Sequence, residues 1–477
     1  MRLINSLPVL AMLAAAGCAT VPRLPPAPSL AQHSATATAT SLAGGTAAFP
    51  TEQWWVSFGD PQLSELITEG LHGSPDVAAA AARMRAAEAL AEESRAAKLP
   101  SLSADAAVGI QQQSKNLGIP PQFVPPGIQD TGRVSLSGSF DLDLWGRNRA
   151  RLRAARSEAE AARVDAAQAA LLLSTSIAAA YADLTRLFAE RDVAATALQV
   201  RSTTATVTGQ RVRAGLGTQG DVSAARAREA AAGADLQSLD EQIVLTRNRL
   251  AALTGAGPDR GIALSRPAVR TGAVALPANL PLELLGRRPD IVSARLRAEA
   301  AASRIKAARA SFYPNINLMG LIGLQSLGLD KLFSSNSLTI NAGPAISLPI
   351  FEGGRLQAQY RGARATYDLD VAQYDSTIVT ALREVADAAG SLRALQGQLG
   401  QQRAALAAAQ DAKRVAELRY KAGLTNQLAV LLTDDQLLQS RRAVADLEAR
   451  ELTLEVNLIR ALGGGFTSAT PTSNGAN

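Results

Sequence analysis

The chain has 477 residues, a formal net charge of +6, two histidines and a single cysteine. One cysteine excludes an internal disulfide, and so few His and Cys residues leave neither a metal cluster nor a catalytic triad; a Walker-type Gly-Lys-Ser is also missing. The arginines are spread among glutamates along helix-forming stretches, which describes a solvated helix face rather than a nucleic-acid surface. The chain therefore reads as neither an enzyme nor a cofactor or nucleic-acid binder.

Arg2 followed by the short apolar run Leu7 to Ala16 has the form of a cleavable export signal, too short to span a bilayer as a helix. The segment ends in Ala15-Ala16-Gly17-Cys18, which resembles the bacterial lipobox, although Ala15 stands where leucine is usual. Cys18 is thus the expected lipid attachment site, and residues 1–17 the lipoprotein signal peptide. Ala19, in place of the aspartate that retains lipoproteins at the inner membrane, favours the outer membrane by the same analogy. Residues 18–50, rich in Pro, Ala, Ser and Thr, are predicted to form a flexible lipidated tether.

Beyond the tether the chain is self-similar. Ser74-Pro75-Asp76 opens a helical run ending at Leu99-Pro100, and Arg288-Pro289-Asp290 opens another ending at Tyr313-Pro314, both proline pairs 214 positions apart. Arg147 precedes the turn Ala214-Gly215-Leu216 by the same interval that separates Arg355 from Ala422-Gly423-Leu424, now with an offset of 208. This duplication overrides a length-based guess of three domains. It predicts one domain of two tandem repeats, residues 51–263 and 264–465, with a flexible tail at 466–477.

Each repeat contains two strands and long helices. Strands are predicted at about 101–112 and 133–144, then at about 315–325 and 338–350. Val134, Leu136, Gly138, Phe140, Leu142 and Leu144 alternate with Ser135, Ser137, Ser139, Asp141 and Asp143, a period of two over a length that suits a tilted transmembrane strand. None of the 22 prolines falls between Trp145 and Pro258 or between Pro349 and Pro471, where Ala, Leu, Arg, Glu and Gln dominate. From Arg147 to Gly215 a helix would be about 100 Å long. The shorter helices, near 25 and 40 residues, together match this length, so pairs stacked end to end with one long helix would make a wall of uniform height. Glycines 215, 217, 423 and 463 to 465 fall where helix ends or reversals are needed.

Four strands cannot close a membrane barrel, and an open edge in lipid leaves backbone groups unpaired. The barrel must be shared between chains; because eight strands are filled by side chains, a conducting pore needs at least three copies.

Trp54-Trp55 with Phe58-Gly59-Asp60-Pro61, the strand end from Phe140 to Arg147, Leu284-Leu285-Gly286-Arg287-Arg288-Pro289-Asp290, the paired Ala-Gly-Leu turns and the run Arg460 to Gly465 carry a resemblance. In this order they resemble the TolC-like outer-membrane efflux proteins over the whole mature chain, most closely the NodT-type lipoprotein branch. The resemblance implies a homotrimer in the outer membrane of a Gram-negative bacterium, a mixed α and β membrane protein. A twelve-stranded transmembrane β-barrel would continue as a twelve-helix periplasmic α-barrel. It further implies the exit duct of a tripartite efflux pump, with a periplasmic adaptor and an inner-membrane RND transporter as partners. No cofactor is implied beyond the lipid on Cys18.

The resemblance also implies a gate at the periplasmic helix tips. Leu428 matches the family's apolar constriction, and Leu432 stands where many relatives have aspartate, with Asp434 and Asp435 two and three residues later. Arg213, Gly215, Leu216, Gly423 and Leu424 lie at the turns that meet the adaptor in the family. Other readings are the exit duct of a type I polypeptide secretion system and a non-conducting, periplasm-spanning lipoprotein scaffold.

Overall fold

The computed structural model describes residues 20–30, 47–116, 118, 120–271 and 280–468. The signal peptide, Cys18 and most of the tail lie outside the described residues. The chain divides into two compact units, one formed by residues up to 30 with 85–161 and 294–374, the other by the remainder.

The first unit holds a four-stranded antiparallel sheet in the order β1-β2-β3-β4: β1 Ser101–Gln111, β2 Gln129–Asp141, β3 Asn315–Leu327 and β4 Leu338–Ser347. The strand limits differ from the alternation. β2 starts four residues earlier than predicted and ends three earlier, because Asp143 adopts a left-handed φ of 46°. From there its carboxylate accepts the backbone N–H groups of Asn148 and Arg149 at 2.8 and 2.9 Å. These are donors that the first turn of a helix otherwise leaves unsatisfied, so the local demand of the coming helix ends the strand. β4 stops at Ser347, two residues before Pro349, which cannot donate to a ladder.

Helices follow the proline punctuation. In chain order they are α1 Pro61–Gly73, α2 Pro75–Ala96, α3 Arg147–Arg213, α4 Gln219–Leu253, the single turn α5 Pro258–Ile262, α6 Leu280–Arg287, α7 Pro289–Ala310, α8 Arg355–Lys421 and α9 Gln427–Ala461. α2 and α7 both have 22 residues, α3 and α8 both 67, α4 and α9 both 35. The short helices are a few residues shorter than the prolines and glycines suggest, because the ends are spent in turns such as Ala97 to Leu99.

In the second unit the end of α4 meets the start of α2, and the end of α9 meets the junction before α7. Gly255, with φ 78°, lies so close to Gly73 that any Cβ would collide with its carbonyl, and Gly463, with φ 92°, approaches Arg287 in the same way. Only glycine satisfies both the left-handed backbone and this contact.

The main core of this unit gathers Trp54, Phe58, Leu63, Leu66 and Ile67 onto Ile177, Tyr181 and Leu184 of α3, with Leu250 of α4 and Val456 of α9. Asp60 joins these parts: its carboxylate accepts Gln62 N–H at 2.9 Å to cap α1, the Tyr181 hydroxyl at 2.7 Å and the Ala268 N–H at 2.8 Å. Arg288 performs a similar task at the α7 end. It pairs with both oxygens of Asp290 at 3.0 and 2.7 Å, with Glu384 at 2.9 Å and with the Ala461 carbonyl at 3.1 Å. Burial alone would lower its pKa, but Asp290 and Glu384 outweigh burial and hold the guanidinium above its ordinary value.

Part of the predicted tether is described. Within residues 20–30, the carbonyls of Pro26 and Pro28 accept hydrogen bonds from Arg364 and Tyr367 of α8. Residues 31–46 of the tether lie outside the described residues.

Candidate functional site

Register sorts the sheet into two faces. On one, Ala104 pairs with Leu136, Leu136 with Ile322 and Ile322 with Ile340, and the adjoining Leu102, Val134, Leu318, Leu324 and Ile346 share that side. No core among the described residues covers it: Leu102 is 71% exposed and Ile340 66%. A soluble sandwich would bury such a face at about 25 cal/mol per Å². On the other face Ser101 and Ser139 hydrogen bond at 2.8 Å, as do Ser103 and Ser137, while the Ser137 hydroxyl approaches Asp105 at 3.5 Å. Asn317, Asn341 and Thr339 continue this polar side, interrupted by Met319 and Leu321. β1 and β4 are the edges, each with one side of its backbone without a partner strand among the described residues.

Of the helices, α3 alone among the described residues has a stretch long and apolar enough to cross a membrane by composition, and half of that stretch is buried in packing. Its apolar character is explained by Leu173, Ile177 and Leu184, which supply the core.

The two glycine turns share one construction. Gly215 (φ 77°) and Gly423 (φ 71°) take the left-handed position, and the next N–H, of Leu216 or Leu424, returns five residues to Arg211 O or Arg419 O at 2.8 Å. This is the Schellman closure of α3 and α8. A Cβ at either glycine would meet open space, so the turn requires glycine for its backbone alone. Leu216 and Leu424 stay exposed, as does Arg213. The following helices start differently. α4 has a capping box in which Thr218 and Asp221 hydrogen bond reciprocally, whereas α9 is capped by the Asn426 side chain on the Ala429 N–H at 3.2 Å. The backbone and hydroxyl of Thr218 hold the Asp221 carboxyl below its ordinary range.

Beyond the second turn, Leu428, Leu432 and Asp435 fall on one face of α9 at helical spacing, with both leucines exposed. Asp434 points elsewhere: it is buried and bound to Lys413 of α8 at 2.6 Å. Asp435 is half exposed and meets Arg201 of α3 at 3.0 Å. Sequence reasoning treated the two aspartates as equivalent and missed Lys413 and Arg201, which lie in other helices and leave no local signal. Arg211, whose side chain reaches Gln427 at 3.2 Å across the two turns, was missed for the same reason. Among the described residues no group of three or more His, Cys, Asp or Glu side chains is placed to hold a metal ion.

The family model for outer membrane efflux proteins matches residues 66–256 and 280–464. The fusaric acid resistance protein FusA of Burkholderia cepacia is 38% identical over 326 residues, which cover 67% of this chain and 61% of FusA. The multidrug resistance outer membrane protein MdtP of Escherichia coli K12 is 31% identical over 435 residues, 88% of this chain and 87% of MdtP. The crystal structure of the outer membrane protein VceC of Vibrio cholerae superposes with a TM-score of 0.83 at 41% identity, over 88% of this chain and 100% of that one. With most of its length matched by the family model, the chain belongs to the outer membrane efflux protein family and is an outer-membrane exit channel.

Proposed function

We propose that three copies of the chain assemble into one duct, each giving its four strands to a twelve-stranded barrel and its helices to a periplasmic tunnel. The uncovered apolar face of the sheet carries this reading. It suits lipid, where the two open edges at β1 and β4 would each forfeit several kcal/mol per unpaired group unless a neighbouring copy supplied the partner strand. The equal helix lengths support an origin by duplication, with residues 51–263 and 264–465 as the two repeats. A lipid on Cys18 would anchor the mature chain beside the barrel.

In this reading the duct serves a tripartite pump, taking small organic compounds from an inner-membrane RND transporter through a periplasmic adaptor. The names of FusA and MdtP, a fusaric acid and a multidrug resistance protein, point to that cargo. Leu216 and Leu424, exposed at two turns of the same construction together with Arg213, Gly215 and Gly423, form the adaptor surface. Exposed leucines at both turns fit an apolar docking contact.

Leu428, Leu432 and Asp435 form the gate, three from each chain converging on the axis. Asp434 serves instead to fasten α9 to α8 through Lys413. Single-channel recording in planar bilayers tests both parts. The wild type conducts at a low level, Leu428→Ala with Leu432→Ala raises it severalfold, and Asp434→Asn acts by loosening α9. Absence of any conductance would remove the duct, and unchanged conductance in the leucine variant would remove the gate alone.

A further inference from the structure

Val21 to Pro28 carries prolines at 22, 25, 26 and 28. Proline holds φ near −65°, which predisposes such a run to the extended polyproline II helix, whose carbonyls find no partner within the segment. Two of those carbonyls are taken by α8. Arg364 donates from Nη2 to Pro26 O at 2.7 Å, and Tyr367 donates its hydroxyl to Pro28 O at 2.9 Å. Arg364 is steadied by Asp368 at 2.9 Å, and only 14% of its side chain is exposed. A pre-extended proline run meeting an aromatic side chain and a fixed donor loses little entropy on docking, which is why such runs serve as ligands elsewhere.

The two bonds also set a direction. Pro26 to Pro28 spans about 6 Å in polyproline II, and Arg364 to Tyr367 about 4.5 Å along the helix. The segment thus runs in the same sense as α8, with its lower-numbered end toward Arg355 and the β4 end of that helix. Eight residues separate Pro26 from Cys18, a reach of about 25 Å in the same conformation. Arg364 stands only about 14 Å along the helix from Arg355.

We propose that Arg364 and Tyr367 form a docking site for the chain's own proline-rich segment, and that this site fixes the anchor end of the chain against the strand-bearing unit. The tether is then short and held at residues 26–28, and residues beyond 30 do not set the distance from Cys18 to the strands. The placement of a lipid rests on the lipoprotein reading of Cys18; the docking does not.

Trypsin reads the site directly, because the Arg23–Leu24 bond lies in the docked segment. Cleavage of the full-length protein is followed by mass spectrometry for the wild type, Tyr367→Phe, the double variant Arg364→Ala with Tyr367→Phe, and Arg361→Ala as a control on the same helix. Loss of both hydrogen bonds raises the cleavage rate roughly tenfold or more, since proteolysis follows the opened fraction. Tyr367→Phe falls between, and Arg361→Ala cleaves at the wild-type rate with an unchanged melting temperature. Ten Gly and Ser residues inserted after Leu30 leave the protection intact. Equal rates in the wild type and the double variant would overturn the site, and so would loss of protection on insertion, which would mean the segment is held taut from its far end. The mass of the released fragment shows separately whether Cys18 is acylated.

Discussion

α3 and α8 have the same length and end in the same turn, yet the parts of them in the helical unit are packed differently. α3 contributes Ile177, Tyr181, Leu184 and Leu187 to a large core that includes the Trp54 to Ile67 segment. α8 contributes Val385 and Ala388 to a small cluster with Leu284, Leu458 and Leu462. The helix lengths follow from their ends, set by glycine turns and caps, whereas the depth of the core follows from what else the chain lays over each helix. The starts of α2 and α7 diverge in the same manner: Ser74 in the first half stands where Arg288 does in the second, and only the arginine collects partners from three elements.

Removing Arg288 should break this comparison most. Arg288→Ala leaves Asp290 and Glu384 without their buried cation and is expected to cost about 3–5 kcal/mol, whereas Ser74→Ala at the matching position costs less than about 1 kcal/mol. Denaturant titration of the two variants checks the contrast. Leu184→Ala, in the large core and fully buried, should cost about 2–5 kcal/mol by the same measurement.

The turns should behave alike instead. Gly215→Ala and Gly423→Ala each face open space, so both are expected to cost about 1 kcal/mol, the backbone penalty alone. A much larger loss at one turn, seen by hydrogen exchange in the adjoining helix, would show that the two are not equivalent.

The smallest effect separates the two caps by pH. Asp221 has its carboxyl lowered in the folded chain, so its contribution is present above the ordinary aspartate range and is lost as the pH falls through the lowered value. Asn426 does not titrate. Acid should therefore lower the protection of the first-turn amides of α4, taken relative to intrinsic exchange at each pH, and leave the protection of those of α9 unchanged. Thr218→Ala should abolish the difference.

Much of this architecture was legible because it depends on local rules. Pro75 and Pro289 sit at the first position of their helices, Gly215 and Gly423 at their C-terminal caps, and alternation through Val134, Leu136 and Phe140 assigns the apolar face. What was not legible depends on distant partners. A proline-rich stretch read as flexible is held by Arg364 and Tyr367, more than three hundred positions away. Two neighbouring aspartates could not be told apart until Lys413 and Arg201 were placed beside them. The end of β2 was missed because Asp143 serves the following helix, a demand invisible to strand periodicity.

The claim that one chain brings only part of a lipid-embedded wall is tested most directly by native mass spectrometry of the particle extracted from outer membranes in mild detergent. A mass of three chains, stable until the strands unfold, is the expected result. A folded particle of one chain, with β1 and β4 intact and no partner strands, would contradict it.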